Sequence, residues 1–153
     1  MKLSILDQSV SVKDKSQDQT INDTLSLSEM AEKMGYHRFW VSEHHNHPTI
    51  IGTAPEVLMA AIAVKTQKIR IGSAGIMLPH YSSFKVAEQF RVLNALAPNR
   101  IDLGLGRAPG SDGRTALALN PNNRENSEHF PSHVRDLISW VKNKDLIEGH
   151  PFG

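Results

Sequence analysis

Four short apolar runs, each followed by a longer segment whose apolar residues recur at helical spacing, restrict this chain to very few architectures. Leu3, Ile5 and Leu6 mark a first strand ending at Asp7, and the polar stretch from Gln8 to Thr20 reads as the loop after it. Ile21, Leu25, Leu27, Met30, Ala31 and Met34 then form a helical stripe, with Gly35 placed to take the left-handed conformation that ends a helix. Phe39 to Val41 is the second strand. Thr53-Ala54-Pro55-Glu56 has the form of a capping box with an early proline, and it opens the almost wholly apolar run Val57 to Val64, a helix expected to be buried.

Ile69 and Ile71 with the small residues Gly72-Ser73-Ala74-Gly75 form a third strand, and a helix beginning near Ser83 carries Val86, Phe90, Leu93 and Ala97 on one face. In the fourth strand Ile101, Leu103 and Leu105 alternate with Asp102, Gly104 and Gly106, so one face packs and the other is nearly bare. The Gly-, Pro- and Asn-rich stretch from Arg107 to Asn126 reads as a long loop, and Phe130, Val134, Leu137, Ile138 and Val141 as a fourth helix. Strands alternating with helices predict parallel βαβ units with right-handed crossovers. The fold class is α/β, either a doubly wound sheet or a sector of a (β/α) barrel, and periodicity does not separate the two. Four units followed by Gly153 are half of the eight that close a barrel, so residues 1–153 are expected to form one half-barrel domain.

Both architectures collect functional groups at the carboxyl ends of the strands. Four such ends are legible: Asp7-Gln8-Ser9, Glu43-His44-His45, Ala74-Gly75 with His80, and Gly106-Arg107. They offer a carboxylate and imidazoles for proton transfer, backbone space for a flat ring, and a guanidinium for an anion. Glu43, His44, His45 and His47 also suit zinc or iron by chemistry, which would make the chain a metal-dependent hydrolase. Side chains of adjacent residues diverge, however, so no metal site is expected. The plainer reading makes these histidines a solvated loop, the glycines close-packing positions, and Arg107 solvated or paired to a carboxylate nearby. Gly104-Leu105-Gly106-Arg107-Ala108-Pro109-Gly110 is a weak dinucleotide fingerprint, because Pro109 stands where the third glycine belongs. Trp40 and Trp140 lie inside apolar runs and read as core.

With 17 Lys plus Arg against 16 Asp plus Glu, no strong field draws nucleic acid or an anionic membrane, and a small molecule is the expected partner. The absence of Cys excludes disulfides, zinc-thiolate sites and thiol nucleophiles. The amino-terminal residues turn polar too soon for a signal sequence and no apolar run approaches a membrane span, so a cytoplasmic location is expected.

An ordered set of segments resembles the bacterial luciferase-like flavin monooxygenases. These are Leu6-Asp7-Gln8-Ser9, the run Tyr36 to Asn46 containing Ser42-Glu43-His44-His45, Ala54-Pro55-Glu56-Val57-Leu58, Ile71 to Pro79, Val86-Ala87-Glu88-Gln89-Phe90, and Arg100 to Gly110. Val10 and His80 depart from the family pattern, which commonly has proline and asparagine there. The resemblance implies a TIM barrel in which reduced FMN and dioxygen oxidise an organic substrate. It implies that His44 is the active-site histidine with Glu43 its neighbour. Ala74-Gly75 resembles the segment, often with a non-proline cis peptide, whose backbone meets the flavin, and Arg107 resembles a flavin contact. The resemblance further implies a separate flavin reductase and a dimer. A four-strand sheet standing alone would expose two edges and an apolar face, so a homo-oligomer covering them is expected. The competing non-enzyme reading is a catalytically silent half-barrel serving as a structural or assembly unit.

Overall fold

The structure is a computed structural model and describes residues 1–143. Strands β1 (Ser4–Asp7), β2 (Arg38–Val41), β3 (Arg70–Ser73) and β5 (Ile101–Asp102) form one parallel sheet in that spatial order, while β4 (Ile76–Met77) pairs in parallel with β6 (Leu105–Gly106). The helices are α1 (Gln17–Lys33), α2 (Pro55–Lys65), α3 (Ser83–Leu96), α4 (Gly113–Leu119), α5 (Asn123–Glu128) and α6 (Phe130–Val141). The spatial order of the strands follows the chain order without reversal. A doubly wound sheet reverses at a switch point, whereas a barrel adds each unit beside the last. The arrangement is therefore a sector of a (β/α) barrel.

Alternation along the strands sorts residues between two faces. Phe39, Val41 and Ile71 point into the helical layer and pack with Met59 and Ile62 of α2, Val86, Phe90 and Leu93 of α3, and Leu137 of α6, all buried. The opposite face is polar and ordered by register. Leu6, Trp40, Gly72 and Asp102 form one row across it, and Arg38 lies beside Arg70. Trp40 is thus not a core residue but a half-buried plate on the inner face; an added Cβ on Gly72 would lie 2.5 Å from its indole. Asp102 holds this face together. It accepts from Arg38 Nε at 3.0 Å, from Trp40 Nε1 at 3.4 Å and from the Arg70 guanidinium. Trp140 matches expectation more closely, packing edge-on against Phe84 with ring centroids 5.3 Å apart.

Several local expectations change. Helix α1 starts at Gln17, inside the stretch read as loop, because the Gln19 side chain accepts the Ser16 N–H at 3.0 Å and caps the first turn. Gly35, at φ +79°, ends the helix as expected. Helix α2 is not enclosed on all sides: Leu58, Met59 and Ile62 are buried while Val57 and Val64 are 64% and 67% exposed. A helix in the outer layer of a sheet buries one stripe, and an all-apolar sequence does not say which. Its cap is Ala54, with Pro55 in the first turn, so the Thr53 capping box does not form. The long loop after Arg107 contains α4 and α5, the former capped by Asp112, which accepts from the N–H groups of Arg114 and Thr115.

One carboxylate secures the outer layer. Glu32, in the last turn of α1, accepts the consecutive N–H groups of Gln67, Lys68 and Ile69 at 2.9, 2.6 and 2.9 Å, fixing the turn that enters β3. Burial would raise its pKa, but these donors and Arg100 outweigh burial and hold it below the usual carboxylate range. Glu32→Gln is expected to cost about 1 to 2 kcal/mol in urea unfolding at neutral pH. Because the folded-state pKa is depressed, the gap between the two proteins should close as pH falls through it. An unchanged urea midpoint would count against this role.

Candidate active site

Strand β2 ends at Val41, and the chain continues through Ser42 and Glu43, both buried, before reaching His44. The Glu43 carboxylate is fully enclosed and accepts three donors. Its Oε1 accepts from the Tyr81 hydroxyl and from His45 Nε2, each at 2.7 Å, and its Oε2 accepts the Met77 N–H at 2.9 Å. Burial pushes the Tyr81 phenol well above its ordinary value, and the negative charge of Glu43 adds to the shift, so Tyr81 remains a donor. The edge of the His45 ring meets His80, with centroids 5.9 Å apart. His80 in turn bonds the Pro109 carbonyl through Nε2 at 2.8 Å.

His44 is half-buried, and its N–H donates to Gly52 O at 3.2 Å. Glu43 and His45 share a side, joined by the Oε1–Nε2 bond. Ser42 Oγ, His44 Nδ1 and His80 Nδ1 are buried without a hydrogen-bond partner within the protein. Buried polar atoms are rarely left so, and a water or a polar ligand group can satisfy them. His47 does not join them: its Nδ1 accepts the N–H groups of Thr49 and Ile50 at 3.3 and 3.2 Å and shapes the following turn.

At the end of β3 the Ala74–Gly75 peptide is cis, as the resemblance implies for this segment. Beside it the fourth strand breaks into β5 and β6 at Leu103-Gly104. The Ser73 hydroxyl bridges the break, donating to Gly104 O at 2.9 Å and accepting the Gly104 N–H at 3.1 Å. An added Cβ at Gly75 would lie 2.8 Å from the Gly104 backbone, and one at Gly104 would overlap the Ser73 carbonyl oxygen. Neither position has room for a side chain because neighbouring backbone fills it, so the two strand ends pack main chain against main chain. Arg107, one residue beyond β6, is exposed, and its Nε donates to Ser127 O at 2.9 Å rather than pairing with a carboxylate. The sequence-predicted residues thus sort into an enclosed group (Glu43), a half-buried imidazole (His44), a side-chain-poor strand end (Ala74-Gly75) and an outlying cation (Arg107). Tyr81, Ser73 and Gly104 complete the arrangement. Only the alternation of glycines in strand four hinted at them.

Residues 1–128 match the family model described as luciferase-like monooxygenase. The chain belongs to the luciferase-like monooxygenase family. It is 48% identical over 152 residues to N-acetyl-S-alkylcysteine monooxygenase of Bacillus subtilis (strain 168), covering 99% of this chain and 45% of that protein. Among solved structures, apo-MsnO8 superposes with a TM-score of 0.86 at 38% identity, covering 98% of this chain and 44% of that one. The FMN-bound oxygenating constituent of 3,6-diketocamphane monooxygenase from Pseudomonas putida shares the fold, with a TM-score of 0.76 at 21% identity over 94% of this chain and 39% of that one. The chain therefore spans less than half the length of these relatives, and its fold is part of the TIM-like barrel that the family of flavin-dependent monooxygenases shares. Among the described residues no helix is long and apolar enough to cross a membrane.

Proposed function

We propose that residues 1–153 form the amino-terminal half-barrel domain of a monooxygenase that uses reduced FMN and dioxygen to oxidise a small organic substrate. The observation that carries this reading is the side-chain-poor strand end at Ala74-Gly75, which the register sets beside Ser42, together with Ser42 Oγ and His44 Nδ1, which lack a partner within the protein. A flat, heteroatom-rich ring suits such a surface. The reduced flavin, when bound, supplies two electrons, so that one oxygen atom enters the substrate and the other leaves as water.

In this reading Ala74 and Gly75 receive the face of the ring, and His44 Nδ1 holds or moves a proton at its edge. Arg107 lies at the rim, where its guanidinium attracts an anionic part of the cofactor or substrate. Glu43, with three donors already on its two oxygens, orients its neighbours and exchanges no proton with substrate. Reduced flavin comes from a separate reductase, and a second copy of the chain covers the sheet edges at β1 and β5.

The test is anaerobic titration of the purified chain with FMN and its reduced form, followed by flavin fluorescence and absorbance. Saturable uptake is expected, with His44→Ala combined with Arg107→Ala weakening it by about tenfold or more, roughly 1.4 kcal/mol. No uptake at high flavin would overturn the reading for this chain and favour the catalytically silent half-barrel.

A further inference from the structure

Tyr81 and His45 belong to neither the side-chain-poor strand end nor the unpartnered polar atoms, yet both converge on Glu43. Strand β2 has stopped at Val41, so the Met77 N–H of β4 turns to the Glu43 carboxylate rather than to a neighbouring strand. Met77 lies two residues beyond Gly75, and β4 pairs with β6 through Ile76 to Leu105 and Met77 to Gly106. The same carboxylate is held by Tyr81, just past the turn Leu78–His80, and by His45. His45 also donates its backbone N–H to Gly110 O at 3.0 Å, beside the Pro109 carbonyl that His80 engages. One enclosed acceptor thus ties the end of β2 to β4 and to the turn beyond Arg107.

We propose that Tyr81, Glu43 and His45 are positioning residues that set the backbone from Gly75 to Met77 and thereby the surface on which the flavin ring rests. The flavin part of this statement rests on the functional reading above; the backbone part does not. Tyr81→Phe removes one donor and little volume, leaving Glu43 Oε1 with a single partner and free to swing away from Met77. Glu43→Gln replaces one acceptor oxygen by a donor nitrogen, so either Met77 or the Tyr81–His45 pair loses its acceptor.

Two readouts in the full chain separate the possibilities: amide hydrogen exchange residue by residue, and FMN titration. In Tyr81→Phe the Met77 amide is expected to exchange about tenfold faster, while Phe39 and Ile71, in the sheet core, stay within about twofold of wild type. FMN dissociation should rise about threefold or more in the same variant. Unchanged exchange at Met77, or a parallel rise at Phe39 and Ile71, would overturn the proposal, the second because it marks general loosening. Fast exchange at Met77 with flavin affinity unchanged would overturn the link to the ring surface. A wild-type chain that takes up no flavin would remove the functional reading, and exchange would still decide the backbone role. Should Glu43→Gln fail to fold, Tyr81→Phe carries the test by itself.

Discussion

Gly104→Ala is expected to be the most damaging small substitution in the described chain, lowering stability by about 3 kcal/mol and abolishing flavin uptake. Adding a methyl group to a packed site ordinarily costs about 1 to 3 kcal/mol, and the upper end applies where neither neighbour can yield. Here the new Cβ would overlap the Ser73 carbonyl oxygen, a backbone atom whose own strand is paired on both sides. Relief requires the break between β5 and β6 to open. That would separate the Ser73 hydroxyl from both Gly104 backbone groups and displace the Ile76 N–H from Gly104 O, now 2.9 Å away. Urea unfolding measures the first effect and FMN titration the second. A variant as stable as wild type would show that the strand end deforms freely, contrary to this account.

Asp102→Ala should cost about 1 to 3 kcal/mol, less than for a fully enclosed pair because solvent screens the guanidiniums, since it strips the shared counter-ion from two cations that the register places side by side. Arg38 and Arg70 occupy paired positions on adjacent strands, where like charges repel. With Asp102 removed, both half-buried guanidiniums and the Trp40 N–H lose a common acceptor. The same residue makes stability depend on pH. Burial would raise its pKa, but the bonds from Arg70, Arg38 and Trp40 outweigh burial and hold it below the ordinary value of 3.8. A depressed carboxylate stabilises the fold fully above its unfolded-state pKa and loses that contribution as pH falls through the folded one. The difference between wild type and Asp102→Asn in urea midpoint is therefore expected to be constant at neutral pH and to shrink below about pH 4. A difference independent of pH over that interval would rule out the carboxylate as its source.

Much of this architecture was readable from spacing, and what was not has identifiable causes. The four strand positions and the stops at Gly35 and Asp7 followed from short-range patterns that act through neighbouring residues. Helix α4 escaped because its seven residues sit among turn-forming Asn, Pro and Gly, whose composition outweighs so short a stripe. The first turn of α1 escaped because its cap is polar and the residue it buries is Thr20. Trp40 was placed in the core by the company of Phe39 and Val41, although the same alternation that buries them turns it to the other face. At the site, the candidate residues were visible as residue types at strand ends. Their partners were not: Tyr81 lies 38 positions from Glu43 and Ser73 lies 31 from Gly104, and no local period records such meetings.

The division of the fourth strand between two sheets bears on how such a site changes over time. Below the break, geometry is enforced by main-chain pairing across four strands; above it, β4 and β6 pair with each other, and the Ser73 hydroxyl and the Glu43 carboxylate add to that pairing. The upper tier therefore depends on two particular side chains, and a substitution at Ser73 or Glu43 shifts strand-end backbone that the wider sheet does not fix. The four-strand sheet can thus be inherited unchanged while the upper tier varies, the adjustable part of a durable frame.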